Sequence, residues 1–191
     1  MARKEEYDIE PRVEGELLIP NASKLIPKGY KIAMRDSRWL RAMQKEFDAL
    51  NKNDTWELVD LLEERKAFPC KWVFDIRKGA KLLEGVKEVQ VDALYKARLV
   101  ARGDLQKEGV DFKETFTPVV KFVTFRVLMT YAAKMDLECD HWDIMSAFLH
   151  RKLDMDLYMQ QPLGFEDGSG RVCKLKKAIY GLCQAARLFY Q

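Results

Sequence analysis

Two stretches between positions 71 and 102 alternate apolar and polar side chains residue by residue, a period that suits a strand and not a helix. In Lys71-Trp-Val-Phe-Asp-Ile-Arg, the side chains of Trp72, Phe74 and Ile76 fall on one face, and Lys71, Val73, Asp75 and Arg77 on the other. In residues 93–102, Tyr95, Ala97, Leu99 and Ala101 share one face while Lys96, Arg98 and Arg102 share the opposite one. Residues 79–92 carry two glycines and many charges. An antiparallel hairpin with an unusually long connection is therefore expected. Three cations on one face can cradle a triphosphate or a phosphodiester backbone, because Arg bonds two phosphate oxygens at once and Lys supplies a compact charge. The same residues suit a solvated edge kept basic against strand pairing. Composition leaves both readings open.

The rest of the chain is read around that hairpin. Residues 1–30 are mixed in charge and interrupted by Pro11, Pro20 and Pro27, with Leu17-Leu-Ile as the one short apolar run, and are expected to form an arm or linker. Asp36 or Ser37 can cap a helix whose apolar stripe is Leu40, Met43, Phe47 and Leu50, widened by Trp39. Thr55-Trp-Glu-Leu-Val reads as a strand. Gly103-Asp104 breaks the return strand of the hairpin, Gly109-Val-Asp-Phe forms a turn, and Thr115-Phe-Thr-Pro-Val-Val is extended. Thr124 can cap a second helix, with Arg126 near its start and a buried stripe of Leu128, Tyr131, Ala132 and Met135. A central strand is expected over residues 138–143, followed by a turn that carries Phe148. Short strands follow at Leu157-Tyr-Met and Arg171-Val-Cys-Lys-Leu, with a loop over residues 161–170 between them. A turn or short helix begins near Tyr180-Gly181 and carries Gln184, Arg187 and Phe189.

Asp143 lies where that central strand ends and a helical turn begins. There a carboxylate can be fixed by backbone amides, and a neighbouring carbonyl can add a second hard oxygen for Mg²⁺. An acidic residue at such a place also serves as a turn former or cap. His141 and His150 stand nine residues apart, which is not the spacing of a zinc motif. Trp142 and Tyr158 are expected to pack in the core. Cys70, Cys139, Cys173 and Cys183 lie in four separate contexts, as reduced structural thiols do.

Bulk composition excludes more than it assigns. With 191 residues, 48% of them hydrophobic, the chain can bury the core of one domain or two small ones. Lys and Arg number 33 against 30 Asp and Glu, a net charge of +3 that argues for no partner by itself. The charged start, Met-Ala-Arg-Lys-Glu-Glu-Tyr, lacks the apolar core of a signal peptide, and no apolar run approaches a bilayer span. An intracellular protein with no membrane partner is expected.

Eight stretches, in order over residues 39–191, together resemble the reverse transcriptase of copia-type long-terminal-repeat retrotransposons. They are Trp39-Leu-Arg-Ala-Met-Gln-Lys-Glu-Phe-Asp-Ala-Leu, Asn53-Asp-Thr-Trp-Glu-Leu-Val, Lys71-Trp-Val-Phe, Tyr95-Lys-Ala-Arg-Leu-Val-Ala-Arg-Gly, Phe116-Thr-Pro-Val-Val-Lys, Asp143-Ile-Met-Ser-Ala-Phe-Leu, Leu157-Tyr-Met-Gln-Gln-Pro and Tyr180-Gly-Leu-Cys-Gln-Ala. The resemblance implies an α+β right-hand polymerase architecture: an arm over residues 1–30, fingers over 31–135, and a partial palm over 136–191, truncated before the family's Tyr-X-Asp-Asp hairpin. It implies that Asp143 is the first palm carboxylate and a Mg²⁺ ligand, with the backbone carbonyl of Ile144 on the same ion. Phe148 then matches the aromatic ring under the sugar that excludes a 2′-hydroxyl. Lys96 and Arg98 match the residues that hold the incoming triphosphate, with Arg102 a further candidate for it and for nucleic acid. Residues 180–184 match the segment lining the nascent base pair, with Gln184 as its polar contact.

The implied partners are an RNA or DNA primer-template, deoxynucleoside triphosphates, and a downstream polymerase segment or other parts of a polyprotein. The implied cofactor is a pair of Mg²⁺ ions, and the implied location a virus-like particle in the cytoplasm, or the nucleus. Two-metal nucleotidyl transfer needs at least two palm carboxylates. No Asp-Asp pair occurs in the chain, so a lack of activity in the chain alone is expected. The sequence also departs from the family at Arg151, where glycine is usual and a strained turn is expected, at Cys183, where lysine is usual, and at Ala186, where proline is usual. The alternatives are a non-catalytic nucleic-acid-binding remnant that uses the basic hairpin, and a structural subunit completed by another chain.

Overall fold

Asp36 starts the first long helix as the sequence requires: its backbone is extended, and its carboxylate accepts the Arg38 backbone N–H at 2.9 Å and pairs with the Arg38 guanidinium at 2.7 Å. Such a cap contributes about 1 kcal/mol. In this computed structural model, residues 26–77, 81–84, 87–90, 94–140, 142, 144 and 146–191 are described. After a single turn, α1 (Tyr30–Ala33), comes α2 (Ser37–Lys52), which buries Trp39, Met43 and Leu50. Leu40, expected in the buried stripe, is instead 43% exposed. The larger Trp39 takes the core position one residue earlier, which rotates the stripe and brings Glu46 into line with Met43 and Leu50. Asn53 closes the helix by donating its side-chain amide to the Ala49 carbonyl at 2.8 Å.

The expected hairpin is present. After β1 (Trp56–Val59), β2 (Cys70–Arg77) pairs antiparallel with β5 (Leu94–Ala101), setting Trp72 opposite Leu99, Phe74 opposite Ala97 and Asp75 opposite Lys96. Their long connection carries a small hairpin of its own, β3 (Lys81–Glu84) with β4 (Lys87–Gln90). Helix α2 lies on the apolar face. The Trp39 ring meets Phe74 edge-on at 5.2 Å and Tyr95 at 4.8 Å. Each such pair contributes about 0.5–1.5 kcal/mol beyond the area it buries.

Further along the chain, β6 (Lys152–Met159) and β7 (Val172–Lys177) pair antiparallel, and β1 adds to the far side of β7 in the order β1-β7-β6. Residues on both sides of position 135 thus share one sheet. Leu157 opposite Leu175 and Met159 opposite Cys173 fill its core. The two sheets are tied at Phe68, whose N–H donates to the Tyr158 carbonyl at 3.0 Å and whose carbonyl accepts from Gln160 N–H at 2.9 Å. The chain then enters α4 (Ala185–Tyr190); the remaining long helix is α3 (Phe122–Lys134).

Helix α3 departs from expectation. Lys121 caps it, Thr124 lies inside it, and no residue of it is buried among the described residues. Leu128, Tyr131 and Met135 are all more than half exposed: 55%, 56% and 52%. Apolar side chains surround this helix instead of lining one face, a pattern that belongs to a helix covered on several sides. The strand expected at residues 138–143 is likewise not formed among the described residues 138–140 and 142. A strand exists by ladder pairing, and these residues have no described neighbour to pair with. Trp142, expected in the core, is 63% exposed, whereas Tyr158 is buried as expected. Arg151 is not strained: its backbone is extended (φ −116°, ψ 131°), and the left-handed residue of that turn is Ser146 (φ 50°). Most of the expected arm, residues 1–25, lies outside the described residues. Among those described, no helix is long and apolar enough to cross a membrane.

Candidate functional site

The end of β5 and the turn that precedes α4 meet backbone to backbone. Ala101 N–H donates to the Tyr180 carbonyl at 2.8 Å, and Gly181 (φ 89°) and Gly103 leave no room for a side chain between the two segments. Gln106 then joins them: its Oε1 accepts the Cys183 backbone N–H at 2.9 Å, and its Nε2 donates to Gln184 Oε1 at 3.2 Å. Gln184, 1% exposed, passes its own Nε2 to the Asp111 carbonyl at 3.0 Å. The Cys183 thiol donates to the Gly103 carbonyl at 3.2 Å, and burial raises its pKa. A buried amide network in which each member has partners fixes one geometry.

That junction sets the Tyr180 ring beneath the basic face of β5. The Arg98 guanidinium carbon lies 5.7 Å from the ring centroid, within cation–π range. Phe148, on the 3-10 turn Ala147–His150, meets Tyr180 edge-on at 4.9 Å and Phe189 of α4 at 6.1 Å. Arg187 holds α4 in place through Glu114 at 3.2 Å and Asp154 at 3.5 Å. Behind the strand, half-buried Glu46 accepts the Leu99 N–H at 3.3 Å. Desolvation raises the pKa of Glu46, against the pull of that hydrogen bond and of Lys96 and Arg98.

The structure therefore brings together Arg98, Phe148 and Gln184, and places Lys96 two residues from Arg98 on β5, across from Asp75. It separates Arg102 from that face. The strand has ended, and the Arg102 guanidinium is paired with Asp104 at 2.6 Å, which raises the arginine's pKa and lowers the carboxyl's. Gln184 is turned inward and spent on Gln106 and Asp111, so the group facing the open side is Tyr180, 37% exposed. The sequence points to this segment through Gln184, whereas the exposed side chain of the two is Tyr180. Sequence reasoning missed Glu46, whose signal was the spacing 39, 43, 46, 50 of the buried stripe. Asp143 lies outside the described residues, and Ile144 is 44% exposed. Among the described residues no group of three or more His, Cys, Asp or Glu side chains could hold a metal ion. They do not by themselves supply a donor set for Mg²⁺.

Comparison with known proteins decides the family: that of the reverse transcriptases (RNA-dependent DNA polymerases) matches over residues 53–191. The chain belongs to the reverse transcriptase family. Its relatives are of the copia type. It is 44% identical over 155 residues to the retrovirus-related Pol polyprotein from transposon TNT 1-94 of Nicotiana tabacum, covering 79% of this chain and 11% of that protein. It is 36% identical over 188 residues to the Pol polyprotein from transposon RE1 of Arabidopsis thaliana, covering 95% of this chain and 12% of that one. A mitochondrial protein of Arabidopsis thaliana is 38% identical over 121 residues, 63% of this chain and 66% of its own length. The chain thus spans about a tenth of the length of the Pol polyproteins it matches. No solved structure matches. Within this reverse transcriptase segment, the junction of Gly103 with Gly181 and the Arg98–Tyr180–Phe148 group both lie inside the matched residues.

Proposed function

We propose that this corner is the nucleotide-binding corner of an RNA-directed DNA polymerase of right-hand architecture, with residues 31–135 as fingers and 136–191 as the start of the palm. The observation that carries the reading is the Arg98 guanidinium poised 5.7 Å over a Tyr180 ring that Phe148 meets at 4.9 Å. Three separate stretches of chain supply those three groups. In this reading Arg98, with Lys96 beside it, takes the triphosphate of an incoming deoxynucleotide through charge-assisted hydrogen bonds. Tyr180 offers its face to the base or sugar, and Phe148 closes the space a 2′-hydroxyl would need. Arg187 and the Gln106–Gln184 network position those rings and touch no substrate. Asp143 and the Ile144 carbonyl would hold Mg²⁺, which supplies charge stabilisation of the transferring phosphoryl group when bound. Primer-template, other parts of the Pol polyprotein, and a cytoplasmic or nuclear setting go with this reading.

Calorimetric titration with dTTP and with UTP tests it. Arg98→Gln should weaken dTTP binding about tenfold, the loss of one charged contact. Phe148→Val should narrow the preference for dTTP over UTP while leaving dTTP affinity within a few-fold. Unchanged titrations in both variants would remove the reading. Primer extension on RNA, beside Asp143→Asn, is expected to give no incorporation from this chain alone, since the sequence carries one palm carboxylate; Asp143-dependent incorporation would overturn that part.

A further inference from the structure

A second basic site lies away from that corner. Residues 61–67, between β1 and β2, face residues 160–171, between β6 and β7, and Val172 at the start of β7, across a cavity of about 680 Å³. Arg65, Lys66 and Arg171 line it, with Glu166 the one acidic side chain among its described lining residues. Arg65 is half-buried, and neither its guanidinium nor the Lys66 ammonium has an ion-pair partner among the described residues. Glu166 is already engaged, accepting the Gly164 N–H at 2.7 Å. The second wall is held rigid: Gln161 donates to Asp167 at 2.7 Å and to the Arg171 carbonyl at 2.9 Å, and Arg171 pairs with Asp167 at 2.8 Å. The Ser169 hydroxyl, donating to the Asp167 carboxylate at 2.6 Å, together with Gln161, the Ser169 backbone N–H and Arg171, holds the Asp167 carboxyl far below its ordinary pKa. Two cations without an ion-pair partner among the described residues, set in a concavity, concentrate positive potential where the same pair on a convex surface would not.

We propose that this groove binds the phosphodiester backbone of a single nucleic-acid strand, at a site separate from the corner at Arg98. The choice of that polyanion rests on the polymerase reading; the cavity and its charges do not. Its size is that of pockets holding one drug-sized ligand, which admits a strand and not a duplex. Leu61, Ala67 and Val172 give it apolar stretches for sugar contact, and no aromatic side chain is among its described lining residues. Binding should therefore be driven by backbone charge and be indifferent to sequence, since contacts to phosphates carry no information about the bases.

The test is fluorescence anisotropy of a labelled uridine homopolymer against the full chain over a series of KCl concentrations, with dTTP titrated in parallel. Arg65→Glu/Lys66→Glu, and Arg65→Gln/Lys66→Gln as a milder pair, should weaken RNA binding about tenfold or more and flatten the slope of log K against log salt by about 1.4, leaving dTTP binding unchanged. Both residues lie outside the hydrophobic core, and circular dichroism checks that the variants fold. Unchanged affinity and slope in the folded variants overturn the proposal, as does no RNA binding by the parent chain or displacement of RNA by polyglutamate of equal charge. RNA binding lost in these variants while the parent chain fails to bind dTTP would sustain the groove and sink the corner; the reverse pattern, with dTTP binding lost only in Arg98→Gln, would do the opposite.

Discussion

Gly103 and Gly181 touch through their backbones: a Cβ built on Gly103 runs into the Gly181 carbonyl oxygen, and one built on Gly181 runs into the carbonyl oxygen of Ala101. Backbone atoms cannot step aside as a flexible side chain can. Gly181 also sits at φ 89°, a conformation that only glycine adopts without strain. Gly103→Ala and Gly181→Ala should each lower stability by about 2 kcal/mol or more in urea unfolding. A loss under about 0.5 kcal/mol, the ordinary range of a harmless surface change, would mean that the two segments do not meet in this way.

Glu46 gives a prediction with a definite sign. Burial raises its pKa above the ordinary value of 4.5, so the folded chain binds this proton more tightly than the unfolded chain. The stabilisation from protonating it is full below the unfolded pKa and is lost as pH rises through the folded one. Glu46→Gln keeps an acceptor for the Leu99 N–H and removes the buried charge. It should raise the urea midpoint at pH 7, with the gain closing as pH falls below 4.5. A variant less stable than the parent at pH 7 would show that Lys96 and Arg98 outweigh desolvation.

The four cysteines should separate by reactivity. Burial pushes the Cys70 thiol up to about 11 and the Cys173 thiol up to about 12, so neither forms thiolate at pH 8. Cys139 is exposed. Ellman's reagent on the native chain should show a fast phase that Cys139→Ser removes, with Cys70 and Cys173 reacting only on unfolding. A fast phase that survives Cys139→Ser would contradict the burial of the other thiols.

Helix α3 predicts an unusual pairing of results. Leu128 is 55% exposed, so Leu128→Glu should leave the unfolding midpoint within about 0.5 kcal/mol of the parent, where a core leucine would cost several. The same change should reduce binding of a hydrophobic dye and reduce self-association, because it interrupts an apolar surface formed with Phe125, Val127 and Tyr131. A large destabilisation would place the helix in a core.

The hairpin of β2 and β5 was legible because a two-residue period leaves one register that buries Trp72, Phe74, Ala97 and Leu99 together. The first long helix was legible from Asp36 and its apolar spacing, but that spacing alone does not choose between Leu40 and Trp39; the bulk of the rings facing it does. Arg98 and Phe148 were named from the sequence through resemblance. Their shared contact with Tyr180 was not, because it depends on a backbone approach between positions far apart in sequence. The inward turn of Gln184 was hidden for a related reason: its partners, Gln106 and the Asp111 carbonyl, lie more than 70 residues away in sequence. The stripe of Leu128, Tyr131, Ala132 and Met135 is expected to be buried and is not, because burial depends on what covers it, which its own residues do not specify.

The junction of Gly103 with Cys183 spans 80 residues of sequence, and that separation orders events on the ribosome. Helix α2, β2 and β5 can assemble on one another while the later chain is still being made, since the contacts among the three lie within residues 37–101, although Phe47 and Trp72 gain Phe165 only afterwards. Arg98 then waits, unsupported, until Tyr180 has been synthesised and has left the exit tunnel. Contacts so distant in sequence form slowly, and each half of the corner is exposed in the interval. A translational pause before residue 180 would therefore lengthen the period in which chaperones, or a second nascent chain, can reach the open edge of β5.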